Sequence, residues 1–241
     1  MRTPIILTDL AGGALVTAAF TFFLAGIPAA TTSLLAAALL AYALLWAILF
    51  LATTDRLRLG WADRVTLVRA TIVCALAGAL LDPGLYVERA GWIVGLTLAA
   101  LAADGLDGWV ARRLAATSDF GARFDMETDA ALILVLCAGL WLSGQAPAWV
   151  LAIGLMRPVF VAAGLAWPWL SQPLPERWRR KLVCVVQVGA LPVALLPFLP
   201  DALRLTLLAA ALLALGISFA IDIRWLYRKR KTTGPSPRRA T

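Results

Sequence analysis

Four aspartates carry the chemistry of this chain. Asp104 and Asp107 stand in the run Asp104-Gly105-Leu106-Asp107-Gly108-Trp109-Val110-Ala111-Arg112, and Asp125 and Asp129 follow after Gly121. The flanking sequence is apolar enough to span a bilayer, where an ionised carboxylate costs about 2.5–3.5 kcal/mol near the midplane. Four carboxylates in one short stretch need a compensating partner, and oxygen-rich sites suit hard cations such as Mg2+ or Mn2+. Two such ions about 3.5–4 Å apart can clamp a pyrophosphate and stabilise charge developing on its oxygens during displacement. The sequence contains no histidine. That excludes Ser-His and Cys-His nucleophilic catalysis and every His-ligated zinc site.

The spacing places the carboxylates as well as counting them. On a helix of about 3.6 residues per turn, Asp104, Asp107, Gly108 and Ala111 share one face, and Asp125 and Asp129 share another. An antiparallel hairpin would bring the two pairs face to face in an acidic pocket just inside the membrane. Gly108 and Ala111 would let a ligand approach the backbone, and Arg112 has the fork geometry that suits phosphate. Glu127 points elsewhere and reads as a bystander, and Asp119 as a solvated or helix-capping residue. Salt bridges to Arg112, Arg113 and Arg123 would explain one or two of the aspartates, not the alignment of all four with small residues between them.

The elements that must hold this pocket are membrane helices. The 241 residues are 61% hydrophobic and 15% charged, with mean hydropathy +0.84, whereas a soluble domain is nearer half apolar and a quarter charged. Eight apolar stretches, near 8–27, 33–53, 64–82, 89–111, 125–144, 147–166, 181–199 and 202–222, each approach the ~20 residues a spanning helix needs. The predicted fold is an all-α, polytopic integral membrane bundle.

Charge orients it. Basic connections carry Arg56, Arg58 and Arg64, then Arg112, Arg113 and Arg123, then Arg177, Arg179, Arg180 and Lys181. The alternate connections are short and hold only Arg89 and Arg204 nearby. The positive-inside rule then predicts that the aspartates and both termini are cytoplasmic; the expected location is a plasma membrane of bacterial type. The net charge of +8 therefore follows topology, with no nucleic-acid partner expected. The tail Arg228-Lys229-Arg230-Lys231 reads as an anchor to anionic headgroups, and residues around Pro235-Ser236-Pro237 as disordered. Most of the ten tryptophans fall near predicted helix ends, as interfacial anchors do. Cys74, Cys137 and Cys184 lie singly in apolar stretches and read as small buried hydrophobes. The first stretch reads as a retained helix, not a cleaved signal, because Asp9 interrupts its start.

The run D-x-x-D-G-x-x-A-R-x8-G-x-x-x-D-x-x-x-D resembles the signature of the CDP-alcohol phosphotransferase family at every specified position. Residues 62–69 resemble the family's first core helix, P-N-x-x-T-x-x-R, matching at Thr66 and Arg69 with Ala62 and Asp63 in place of Pro and Asn. Lys181 and Gln187 weakly resemble its K-x-K-T-x-x-Q pattern. The resemblance covers about residues 60–225. It implies two extra N-terminal helices over 1–55, a six-helix core over 56–227 and a basic tail over 228–241.

The resemblance further implies transfer of a substituted phosphate from a CDP-linked lipid donor to an alcohol, with release of CMP, in phospholipid synthesis. Asp104, Asp107, Asp125 and Asp129 would hold two Mg2+ or Mn2+ ions, with Asp129 also the general base on the acceptor hydroxyl. Gly108, Ala111, Arg112, Gly121 and Thr66 would receive the donor. Arg157, an intramembrane arginine and so a functional candidate, and Lys181 would contribute to substrate binding. Positive charge at the mouth favours a phosphorylated acceptor, glycerol-3-phosphate or another polyol phosphate, over inositol, serine or a lipid alcohol. A homodimer is expected from the same resemblance. A membrane prenyltransferase would place two acidic motifs far apart, and a divalent-cation transporter would need polar residues in the outer helix halves. Neither pattern is present.

Overall fold

The structure is a computed structural model that describes residues 3–4, 7–26, 31–52, 58–59, 61–114, 119–172 and 178–232. For some helical residues, 104–114, 119–120 and 179–181 among them, the backbone alone is described. Among the described residues eight long helices form: α1 (Leu7–Ala25), α2 (Thr31–Ala52), α3 (Trp61–Ala79), α5 (Ala90–Leu114), α6 (Asp119–Leu142), α7 (Leu151–Ala166), α8 (Trp178–Ala194) and α9 (Asp201–Thr232). They coincide with the eight apolar stretches. A four-residue turn of helix, α4 (Leu85–Glu88), joins α3 to α5. A two-residue antiparallel pairing, Thr3 with Leu59 and Pro4 with Arg58, ties the N-terminus to the approach to α3.

Three described segments are long and apolar enough by themselves to cross a membrane: Thr31–Leu49, Ala148–Ala166 and Asp201–Arg230. Shorter apolar runs lie at Asp9–Ala25, Ala90–Ala103 and Leu182–Ala194. The run in α5 stops just before Asp104, where charged residues begin. The outer surface agrees with a bilayer setting. Leu165 is 85% exposed, Phe198 77% and Leu15 71%, and large apolar side chains displayed in such numbers suit a lipid solvent.

Inside, helix faces interlock around one central cluster: Ile72 and Leu76 of α3, Ile93 of α5, Leu136 and Leu140 of α6, Ile153 of α7, Leu191 of α8 and Leu208 of α9. Lipid tails are as apolar as leucine, so close packing and satisfied polar groups hold such helices together. Buried hydroxyls here are satisfied within their own helices. Thr17 donates to the Gly13 carbonyl, Thr21 to Thr17, Thr97 to Ile93 and Thr128 to Phe124, each four residues back. Tyr86 of α4 is fully buried and donates to the Leu76 carbonyl at 2.8 Å.

A second apolar cluster joins the N-terminal helix pair to the rest. Tyr42, Trp46 and Leu49 of α2 meet Leu67, Ala70 and Cys74 of α3 and Phe124 of α6. Tyr42 also donates to the Leu10 carbonyl at 3.1 Å. A Cβ on Gly13 would fall 2.1 Å from the Tyr42 hydroxyl, so only glycine admits that contact. Asp9 of α1 pairs with Arg64 of α3 at 3.3 Å.

Two expectations about α9 and the cysteines are corrected. The helix runs ten residues beyond 222, to Thr232, so the start of the basic tail is helical. Cations there complement the negative end of the helix dipole, and past the membrane nothing forces the helix to stop. Cys74 and Cys137 are buried as expected, but Cys184 is exposed, because the outward face of a membrane helix is itself apolar. Residues 233–241, including Pro235-Ser236-Pro237, lie outside the described residues.

Candidate active site

The described part of the candidate site lies where α6 packs on α3. Among the described residues α5 and α6 each pack on α3 more than on one another. The hairpin is therefore opened by a third helix, and α3 brings the cation that carboxylates in a membrane require. Arg69, 1% exposed, donates from its two terminal nitrogens to Asp125 and to Asp129. One guanidinium thus bridges two carboxylates one helical turn apart, a fork geometry that lysine does not offer.

The helical register explains the arrangement. Asp63, Thr66 and Arg69 fall three residues apart on α3, and all are buried, so they form one stripe. On α6, Asp125 and Asp129 lie in the second and third turns, since the helix begins at Asp119 rather than near 125. Gly121 is in its first turn. Phe124, beside Asp125, is buried against α2 and α3, which fixes the rotation of α6 and aims its carboxylates at Arg69.

Asp104, Asp107, Gly108, Ala111 and Arg112 lie on continuous helix in the last turns of α5, but their side chains lie outside the described residues. Lys181 is in the first turn of α8, and its side chain is likewise outside them. Among the described residues no group of three candidate ligands gathers, as expected when two of the four aspartates are not in view. The two that are in view fit a divalent cation. Their side chains are 34% and 29% exposed, and carboxylate oxygens are the ligands that Mg2+ and Mn2+ take.

Arg157 pairs at 2.7 Å with Glu127, on a different face of α6 from Asp125 and Asp129. Glu127 thus has an ion-pair partner on α7, in an exposed pair. Arg69 is the partner that the spacing of the aspartates did not point to, although the T-x-x-R match contained it. An arginine inside an apolar stretch is a signal in itself. Gln187 of α8 is also buried, and its Nε2 lacks a hydrogen-bond partner among the described residues.

No solved structure matches the chain. The family model for CDP-alcohol phosphatidyltransferase matches residues 59–221, which takes in α3 to α8, most of α9 and the whole aspartate signature. Members of that family are polytopic membrane proteins that generally use divalent metal ions. The chain belongs to the CDP-alcohol phosphatidyltransferase family: it is a multi-pass integral membrane transferase of substituted phosphate groups in phospholipid synthesis.

Proposed function

We propose that the chain moves a phosphatidyl group from CDP-diacylglycerol, or a similar CDP-linked lipid, to a phosphorylated polyol, with glycerol-3-phosphate the leading acceptor. The observation that carries the reading is the Arg69 bridge to Asp125 and Asp129. It brings carboxylates and a counter-cation together inside the signature region. The two ion-paired aspartates would join Asp104 and Asp107 in holding Mg2+ or Mn2+, which supplies charge stabilisation on the pyrophosphate oxygens.

Each residue then has a task. Gly108 and Ala111 leave room for the cytidine diphosphate part against α5, with Gly121 and Thr66 at its border and Arg112 on its phosphate. Asp129 accepts the proton of the acceptor hydroxyl. The acceptor oxygen bonds to the lipid-bearing phosphorus as the bridging bond to CMP breaks, and CMP leaves with the bridging oxygen. Arg69 keeps the carboxylates aligned between turnovers. A cytoplasmic, interfacial pocket leaves the donor's tails in the bilayer while its headgroup meets a soluble alcohol, and a homodimer is the expected assembly.

The basic run Arg177, Arg179, Arg180 and Lys181 supports a phosphorylated acceptor. One observation favours a second reading. Arg157 is already paired with Glu127, so part of the positive charge assigned to the acceptor is offset, as a free alcohol such as inositol or serine would require. The test is CMP release in detergent from CDP-diacylglycerol with Mg2+ or Mn2+. Glycerol-3-phosphate, inositol phosphate, inositol and serine are offered in turn, with Asp129→Asn as control. Stimulation by glycerol-3-phosphate alone supports the first reading, and stimulation by inositol or serine alone replaces it with the second.

A further inference from the structure

At the end of the bundle away from the aspartates, α1 and α5 diverge around a groove of about 560 Å3. Ala19, Phe20 and Phe23 line one side, and Trp92, Gly95 and Leu96 the other. Phe23 and Trp92 meet edge to face at 4.5 Å. One helical turn beyond both rings stands Arg89. Its guanidinium lies against the end of α1, where a Cβ on Gly26 would fall 2.3 Å from a guanidinium nitrogen. Gly26 has φ +64°, a conformation that turns the chain and opens that space. Among the described residues no carboxylate pairs with Arg89.

We propose that this groove is a phospholipid site, with one acyl chain between α1 and α5 and the headgroup phosphate on Arg89. The chemistry is complementary at both ends: the apolar slot ends at the Phe23–Trp92 ring pair, and one turn past the rings lies a half-buried guanidinium, whose fork suits phosphate. Trp92 stands where tryptophans favour the membrane interface. Depth separates this lipid from the donor. Arg89 stands just before α5 and Asp104 fifteen residues on, roughly 22 Å at 1.5 Å per residue, so a phosphate on Arg89 belongs to the leaflet opposite the reaction. The bound lipid fills the seam between the added N-terminal helix and the family core.

The full chain, extracted in mild detergent, is examined by native mass spectrometry for retained phospholipid. Two variants act independently. Arg89→Gln removes the phosphate contact, and Gly95→Phe fills the groove from a position with nothing within 4 Å of its Cβ. The expected result is one retained phospholipid on the unaltered chain, reduced about tenfold in occupancy by Arg89→Gln, abolished by Gly95→Phe and kept by Arg89→Lys. Equal retention in all four proteins overturns the proposal. So does a Gly95→Phe variant that keeps its lipid but raises KM for long-tailed CDP-lipid only, since the groove would then hold the donor's own tail. The readout is lipid mass, so it stands whether or not the chain uses the acceptor proposed above.

Discussion

Among the described residues two arginines, Arg69 and Arg204, are almost wholly buried, and they are satisfied in different ways. Arg204, near the start of α9, donates its Nε to the Ala194 carbonyl at 2.8 Å and a terminal nitrogen to the Leu199 carbonyl at 3.2 Å. It also pairs with Asp201, which is 88% exposed. Its partners are mostly backbone carbonyls, one at the end of α8 and the others in the connection that leads into α9. Arg69 is held instead by two carboxylates that are partly exposed and come from another helix. Carbonyls bind no cation in exchange, so Arg204 is a fixed tie across the turn. Carboxylates can exchange one cation for another, so Arg69 is the counter-ion of the proposed site. The comparison also accounts for the stray basic residues at the sparse end. Arg204 serves a helix C-terminus, and Arg89 lies against another.

The comparison can be broken most sharply at the carboxylates. Asp129→Asn removes the proton acceptor and one proposed ligand, and should lower metal-dependent CMP release by about 10³-fold, with far-ultraviolet circular dichroism unchanged. Replacing Arg69 comes next. Arg69→Met leaves two carboxylates facing each other and should cost about 3–5 kcal/mol in the metal-free protein. Saturating Mn2+ should recover part of that loss, read as a larger rise in thermal midpoint than in the unaltered chain. Arg204→Met should cost about 1–3 kcal/mol through the carbonyls it leaves unpaired. Mn2+ should not restore it, and kcat should stay unchanged. A difference in metal response between these two variants would sharpen the distinction, and its absence would remove it.

Smaller effects test how the N-terminal pair supports the site. Gly13→Ala pushes a methyl group into the Tyr42 hydroxyl and should destabilise by about 1–3 kcal/mol, measured by thermal unfolding in detergent. Asp9→Asn should cost under about 1 kcal/mol, because its partner Arg64 is a third exposed and such pairs contribute little.

The spans were legible because a membrane helix states its length in its own composition. All eight apolar stretches correspond to helices. Their ends were less so. Helix α6 begins at Asp119 and α9 continues to Thr232, because polar residues continue a helix as readily as apolar ones once it has left the membrane. The four residues of α4 carry no periodic signal that length could amplify. At the site, the stripe of Asp125 and Asp129 was visible from spacing alone. Which cation faces them was not, because Arg69 lies 56 residues before Asp125 and pairing across helices leaves no trace in a single sequence. The partner of Arg157 was hidden for the same reason, and Glu127 had looked idle only because it lay off the aspartate stripe.

The most direct test assays the unaltered chain, Asp129→Asn and Arg204→Met side by side for Mn2+-dependent CMP release from CDP-diacylglycerol, each shown first to be folded in detergent. The account predicts turnover in the unaltered chain and in Arg204→Met, and its loss in Asp129→Asn. Full turnover in Asp129→Asn would contradict it, because the carboxylates that Arg69 bridges would then not be the seat of the chemistry.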